Sequence, residues 1–208
     1  MQQLTARLGH VGLGLACLGL IACDNAGQER NFDRLEEYSR ILSTAETREV
    51  ADLTGLTGTA SYRGVGFGEF PAQDIPGDGG PAATYTATSD VRLTADFTGG
   101  TLSGEMTGWT PENPTNYTMR GTVRISEGQI NPDGTFDALV TGAVERTATA
   151  RLIQSRGEED LGIPDSYQAL VGGVATGTFH DSQSGARASH IVGDIGGGNM
   201  TGGFVARR

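Results

Sequence analysis

Few side chains in this sequence are spaced for chemistry. Cysteine occurs only at 17 and 23, and histidine only at 10, 180 and 190. Cys23 ends an apolar run, behind Leu20, Ile21 and Ala22, and its thiolate is the one strong nucleophile the chain could offer near neutral pH. His180 and His190 have Asp181 and Asp194 near them in sequence, residue types that could hold a metal or haem. With residues 181–185 as the turn, His180 falls near Ala186 and His190 near Thr176, so the imidazoles are not opposed across a ladder and read as unrelated. The acidic stretch 69–78, with Asp74 and Asp78, lacks the alternating Asp/Asn positions and closing Glu of a calcium loop. There is no Gly-x-Ser-x-Gly elbow, no glycine run opens a helix as a phosphate loop would, and the carboxylates are scattered. The sequence predicts no active site, no metal and no cofactor.

What remains is Cys23, and its setting is specific. Arg7 precedes the apolar run 11–20, giving a positive n-region, a short h-region and small residues before a cut, as in a secretory signal. The run is too short to span a bilayer, which takes about 20 residues. Leu20-Ile21-Ala22-Cys23 resembles the bacterial lipobox, in which the cysteine sulfur takes up a diacylglycerol and the chain is cut just before it. The expected organisation is a signal peptide over 1–22, a lipidated tether over 23–56 and a folded domain over 57–208. With Cys17 removed and Cys23 acylated, by palmitate or a similar chain, no thiol remains for a disulfide, a metal or catalysis. The net charge of −10 argues against nucleic acid and against a polybasic attraction to anionic lipid, which leaves acyl chains as the route to the membrane.

The elements that follow change texture once. Phe32, Leu35, Tyr38, Leu42 and Ala45 recur at three- and four-residue steps among charged residues, the pattern of a short amphipathic helix that Asn31 could cap and that the Ser43-Thr44 cluster could end. From residue 57 on the period becomes two. Tyr85, Ala87, Ser89, Val91, Leu93, Ala95 and Phe97 alternate with Thr86, Thr88, Asp90, Arg92, Thr94 and Asp96, one buried and one wet face. Strands are expected over 57–67, 85–97, 101–109, 117–125, 135–142, 169–179, 188–195 and 200–206. Along 101–109, Leu102, Gly104, Met106 and Gly108 should share the inner face, and Phe97, Val123, Phe136 and Phe179 should be buried. Turn chemistry separates the strands: Thr98-Gly99-Gly100, Asn131-Pro132-Asp133-Gly134, 181–185 and Gly196-Gly197-Gly198-Asn199. Eight short strands with small residues mixed into the apolar face predict an all-β fold, an eight-stranded antiparallel up-and-down barrel filled by side chains, with a β-sandwich as the alternative. Each strand has one apolar face and aromatics make up 6% of the chain, so no lipid-facing girdle is expected.

Gly58-Thr59-Ala60-Ser61-Tyr62-Arg63-Gly64, Leu93-Thr94-Ala95-Asp96-Phe97, Leu102-Ser103-Gly104, Gly177-Thr178-Phe179, the stretch 188–193 and Gly203-Phe204 follow one another in an order that resembles the barrel domain of the transferrin-binding-protein-B-like lipoproteins. The likeness covers about residues 57–208. It implies a surface lipoprotein that captures host proteins or haem, or evades complement. The chain departs from the pattern at His180-Asp181-Ser182 and has a single barrel.

The function expected is a lipid-anchored envelope protein at the outer membrane, on its periplasmic or surface face. It would be monomeric and non-catalytic, with loops that bind a protein or small ligand. An envelope-maintenance role and a lipocalin-like carrier are the alternatives. Connections 68–84, 109–116 and 145–168 are long, and binding residues concentrate on such loops. Trp109, Asp74, Asp78, Arg156 and Tyr167 are the candidate contacts, Trp109 either as an interface anchor or as a ring closing the barrel end.

Overall fold

The computed structural model describes residues 11–71, 84–112, 114, 116–149 and 166–208, the side chains of 11–27 and 71 excepted. One helix, α1 (Val11–Glu46), precedes eight strands: β1 (Thr59–Pro71), β2 (Thr84–Asp96), β3 (Thr101–Pro111), β4 (Tyr117–Ile130), β5 (Thr135–Ala148), β6 (Ser166–His180), β7 (His190–Gly196) and β8 (Thr201–Arg207). Each strand pairs antiparallel with the next, and β8 returns to β1, so the sheet closes as an up-and-down barrel. Closure excludes the sandwich.

The expected alternation fills the interior. Val123, Phe136 and Phe179 are buried, and Phe97, just past the end of β2, packs half-buried against them. Phe179 is the hub of the lower core: the rings of Tyr62, Phe97 and Phe136 meet it at 6.0, 5.5 and 5.8 Å, all edge-on, the geometry aromatic quadrupoles favour. A methyl group on Gly193 would overlap the Phe204 ring.

The inner face of β3 departs from strict alternation. A bulge between Thr88/Asp90 on β2 and their β3 partners makes Gly108, at φ 63°, the extra residue. Glycine takes this left-handed conformation without strain. Gly108 is therefore exposed, and Trp109 is the residue turned into the core, 4% exposed and edge-on to Phe70 at 5.3 Å.

Helix α1 is longer than the sequence pattern indicates and lies with a different face down. Among its described side chains Arg34, Ile41 and Ala45 are buried, while Phe32 and Leu35 of the expected stripe are 69% and 45% exposed. The reason is the floor it meets. The bulge leaves the Gly108 carbonyl unpaired and places Asp90 and Thr110 beside it, so the wall there is polar. Arg34 donates through Nε to Asp90 Oδ1 (3.1 Å) and through Nη1 to the Gly108 carbonyl (2.7 Å) and Thr110 Oγ1 (2.8 Å). Asn31 caps nothing; its Oδ1 accepts the Thr88 hydroxyl. Further along, Tyr38 meets Phe67 edge-on at 5.3 Å and Glu37 pairs with Arg207. Val65 and Val205, directly opposed across the β1–β8 seam and pointing outward, are buried beneath the helix. Among the described residues no helix is long and apolar enough to cross a membrane.

The chain after α1 stops the base of the barrel. Ala51 N–H donates to the Phe179 carbonyl and Leu53 N–H to the Pro132 carbonyl, both at 2.8 Å, and both side chains join the core. Gly134, at φ 84°, is required here because a Cβ would run into the Ala51 carbonyl. Arg187 donates to the carbonyls of Asp52 and Thr54.

Two variants test these assignments. Phe179→Ala should lose about 3–5 kcal/mol in urea unfolding, as emptied aromatic sites do. A loss below about 1 kcal/mol would mean that the lower core is not the packed unit described. Arg34→Met keeps the aliphatic stem but strands the Gly108 carbonyl, a change of about 1–3 kcal/mol. Hydrogen exchange should quicken over residues 28–46 and stay unchanged in β4–β6.

Candidate functional site

The two ends of the barrel differ. At the upper end, where β1–β2, β3–β4 and β5–β6 are joined, the strands bring inward-pointing aromatic and cationic side chains together. The Arg146 guanidinium lies 3.4 Å from the Tyr85 ring centre and 4.4 Å from that of Tyr117, and the two rings meet edge-on at 5.9 Å. Tyr167 stands directly opposite Arg146 on β6 and packs half-buried against the core. A guanidinium on aromatic faces gains cation–π energy of about 0.5–2 kcal/mol, more as water is excluded. The cluster lies at the same end of the barrel as Trp109 and Phe70.

The base carries the histidines, and here the sequence reading is corrected. The β6–β7 connection spans 181–189 rather than 181–185, so His180 and His190 are directly paired across the ladder. Two nested turns explain the shift. Ser182 N–H donates to the Ala186 carbonyl and Ser189 N–H to the His180 carbonyl, while Asp181 Oδ1 accepts from Ala188 N–H and the Ala188 carbonyl accepts from the buried Tyr62 hydroxyl. Both histidines point outward beneath the segment that leaves α1; Val50 forms a β-bridge to His180. The Arg48 carbonyl can only accept, so His180 Nδ1 donates to it (3.4 Å) and Nε2 accepts the Thr178 hydroxyl (2.8 Å). His190 Nδ1 meets Ser189 Oγ at 2.8 Å. Among the described residues no three His, Cys, Asp or Glu side chains converge as a metal site.

The candidates named from sequence are thus dispersed. Cys23 lies within α1. Trp109 belongs to β3 and to the core rather than to a loop surface, and Tyr167 belongs to β6, because β5 continues to Ala148 and β6 starts at Ser166. Asp74, Asp78 and Arg156 lie outside the described residues. The Tyr85–Tyr117–Arg146 cluster has one trace in the sequence: the inward parity of Phe136, Ala138, Val140 and Gly142 continues two steps further to Arg146.

The outer wall holds one more surface. Leu139 and Val174 are directly opposed on β5 and β6, and Leu170 stands opposite Ala143. Leu139, Leu170 and Val174 are 42%, 64% and 49% exposed, on the side that α1, packed on β1, β2, β3, β7 and β8, leaves uncovered. Other outward positions, Arg63, Arg92, Arg124, Asp137, Thr141 and Asp194 among them, are polar, and the outward Val65 and Val205 lie under α1.

No family model matches the chain, and no curated protein matches it. Among solved structures it is similar to transferrin binding protein B of serogroup B Neisseria meningitidis, at 16% identity and a TM-score of 0.42, over 77% of this chain and 28% of that one. It is also similar to a single-residue mutant of transferrin binding protein B from Haemophilus parasuis, at 16% identity and a TM-score of 0.39 over the same shares. The chain spans little more than a quarter of those proteins, and a likeness this low assigns neither family nor partner.

The paired histidines generate a pH test. Burial first, then the charges of His180, Arg207, Arg48 and Arg40, hold the His190 pKa below its ordinary 6.5. The folded state therefore favours the neutral ring; its contribution to stability is fully present above pH 6.5 and drains as the pH falls toward the folded value. Urea midpoints taken from about pH 8 to about pH 5.5 should fall on the acid side in the native chain, and fall less in His190→Gln. Identical acid limbs would show that His190 titrates as a free imidazole.

Proposed function

We propose that this protein is a lipid-anchored, non-catalytic barrel of the bacterial cell envelope that captures a protein partner on its outer wall. The observation that carries this reading is the division of the barrel surface: one wall is stitched to α1, the helix that carries Cys23, and the opposite wall exposes Leu139, Leu170 and Val174. The first supports an anchor held rigidly to the domain through Arg34, Tyr38 and Glu37. The second supplies apolar contact area that a folded surface otherwise hides. The interior is occupied by side chains, which favours recognition from outside over a lipocalin-like carrier.

Two measurements test the reading. Metabolic labelling with a palmitate analogue should mark the native chain, and Cys23→Ser should lose the label and leave the membrane fraction, since each buried acyl CH₂ contributes about 0.8 kcal/mol to anchoring. A Cys23→Ser variant that still sediments with membranes would sink the anchor. A photo-crosslinking residue at position 170 should trap a discrete adduct in intact cells that the same residue at Asp137, on the polar part of the outer face, does not. Equal adducts at both positions, or none at either, would remove the outer wall as the capture face.

A further inference from the structure

One outward position on each of the eight strands falls in a single cross-strand row: His180, His190, Arg207, Arg63, Arg92, Glu105, Arg124 and Thr141, each directly opposed to the next. Three guanidinium groups, from Arg207, Arg63 and Arg92, stand side by side on β8, β1 and β2. Like charges directly opposed across a ladder are destabilising, and the chain as a whole is acidic, at −10. The run is therefore a local excess of charge that folding does not explain.

The counter-charges do not cancel it. Glu37 of α1 reaches Arg207 at 3.3 Å but is shared with Arg40 at 2.6 Å. Among the described residues no carboxylate lies within ion-pair distance of Arg63 or Arg92; Glu105 faces Arg92 in register without reaching it. Beside this run the wall opens into a cleft of about 460 Å³, lined by Glu37, Ser61, Arg63, Arg207 and Arg208 over a floor that includes Val65. Arg208 reaches it from the barrel base, its guanidinium 5.7 Å from the ring centres of Tyr62 and Phe97.

We infer that this cleft binds a multiply charged oxyanion, a phosphate or carboxylate group, between Arg63, Arg207 and Arg208, with the Ser61 hydroxyl as a neutral donor. Guanidinium forks match the oxygens of such groups in pairs, which ammonium groups do not. The anion would also relieve the repulsion between Arg63 and Arg207. Glu37 sits at the rim as a competitor for Arg207 and sets how strongly an anion is held. The inference is independent of the anchor and of the apolar wall.

Calorimetric titration of the full chain with pyrophosphate and, separately, with citrate tests it. At least one should bind. Arg63→Gln should weaken that binding about tenfold, the loss of one charge-assisted contact of about 1.4 kcal/mol. Glu37→Gln should strengthen it several-fold by freeing Arg207, and Arg124→Gln, three strands from Arg63, should leave it unchanged. Binding of pyrophosphate alone identifies a phosphate group as the ligand chemistry, and binding of citrate alone a carboxylate. No heat with either anion in the millimolar range, or an Arg63→Gln variant that binds like the native chain, overturns the inference. All three positions, Arg63, Glu37 and Arg124, are on the outer surface, and far-ultraviolet circular dichroism of each variant separates lost binding from lost fold.

Discussion

Closure between β1 and β8 is the constraint on which the rest of the structure depends. An eight-stranded sheet whose first and last strands failed to pair would present two open edges and spill its apolar face. The seam is short, running from Arg63 to Glu69 on one side and Thr201 to Arg207 on the other. Its inner side is held by Phe204 and Ala206, both buried. Its outer side carries Val65 and Val205, which would be wet in a bare barrel. Covering each contributes roughly 1.5–3 kcal/mol, and α1 does the covering. The helix is therefore a structural part of the closed sheet as well as a leader to it.

That dependence explains why α1 seats a charged residue where the sequence pattern promised an apolar one. Where the helix crosses β2 and β3 the wall has no apolar floor, because the Gly108 bulge has turned Trp109 inward and left a carbonyl looking out. A carbonyl hidden under a helix must find a donor, and Arg34 is long enough to bring one while laying its methylene stem along the wall. Phe32 and Leu35 are rotated outward as a result. The bulge, the inward tryptophan and the clamp form one arrangement with three visible parts.

How much of this the sequence disclosed follows from the same residues. Period-two alternation is local, and it was enough for eight strands, their order and the filled interior, since Val123, Phe136 and Phe179 each sit on an unbroken run. It failed where one extra residue shifts parity, at Gly108, and where a connection folds on itself, between Asp181 and Ser189, because neither leaves a periodic trace. The histidine pair was invisible for the second reason: a four-residue change in the turn moves His190 from beside Thr176 to beside His180. The arginine row was invisible for another. Arg63, Arg92 and Arg207 are each ordinary outward positions, and only the register across three strands makes them neighbours.

If Cys23 carries the proposed lipid, the path of α1 sets which end of the barrel lies toward the membrane. The helix meets the wall first at Thr88 and Thr110, near the upper end, and leaves it at His180, near the base. Cys23 therefore precedes the upper end, the same end at which residues 72–83, 112–116 and 150–165 join their strands. With the proposed lipid on Cys23, the strand ends at 71, 84, 111, 117, 148 and 166 lie toward the anchor, and the turns at 97–100, 131–134 and 181–189 lie at the opposite end. A partner arriving from the aqueous side meets the base and the uncovered wall of β4, β5 and β6 before it meets the rim. The apolar strip at Leu139, Leu170 and Val174 lies on that wall, so a capture face on the side of the barrel, as proposed, would be open to such a partner.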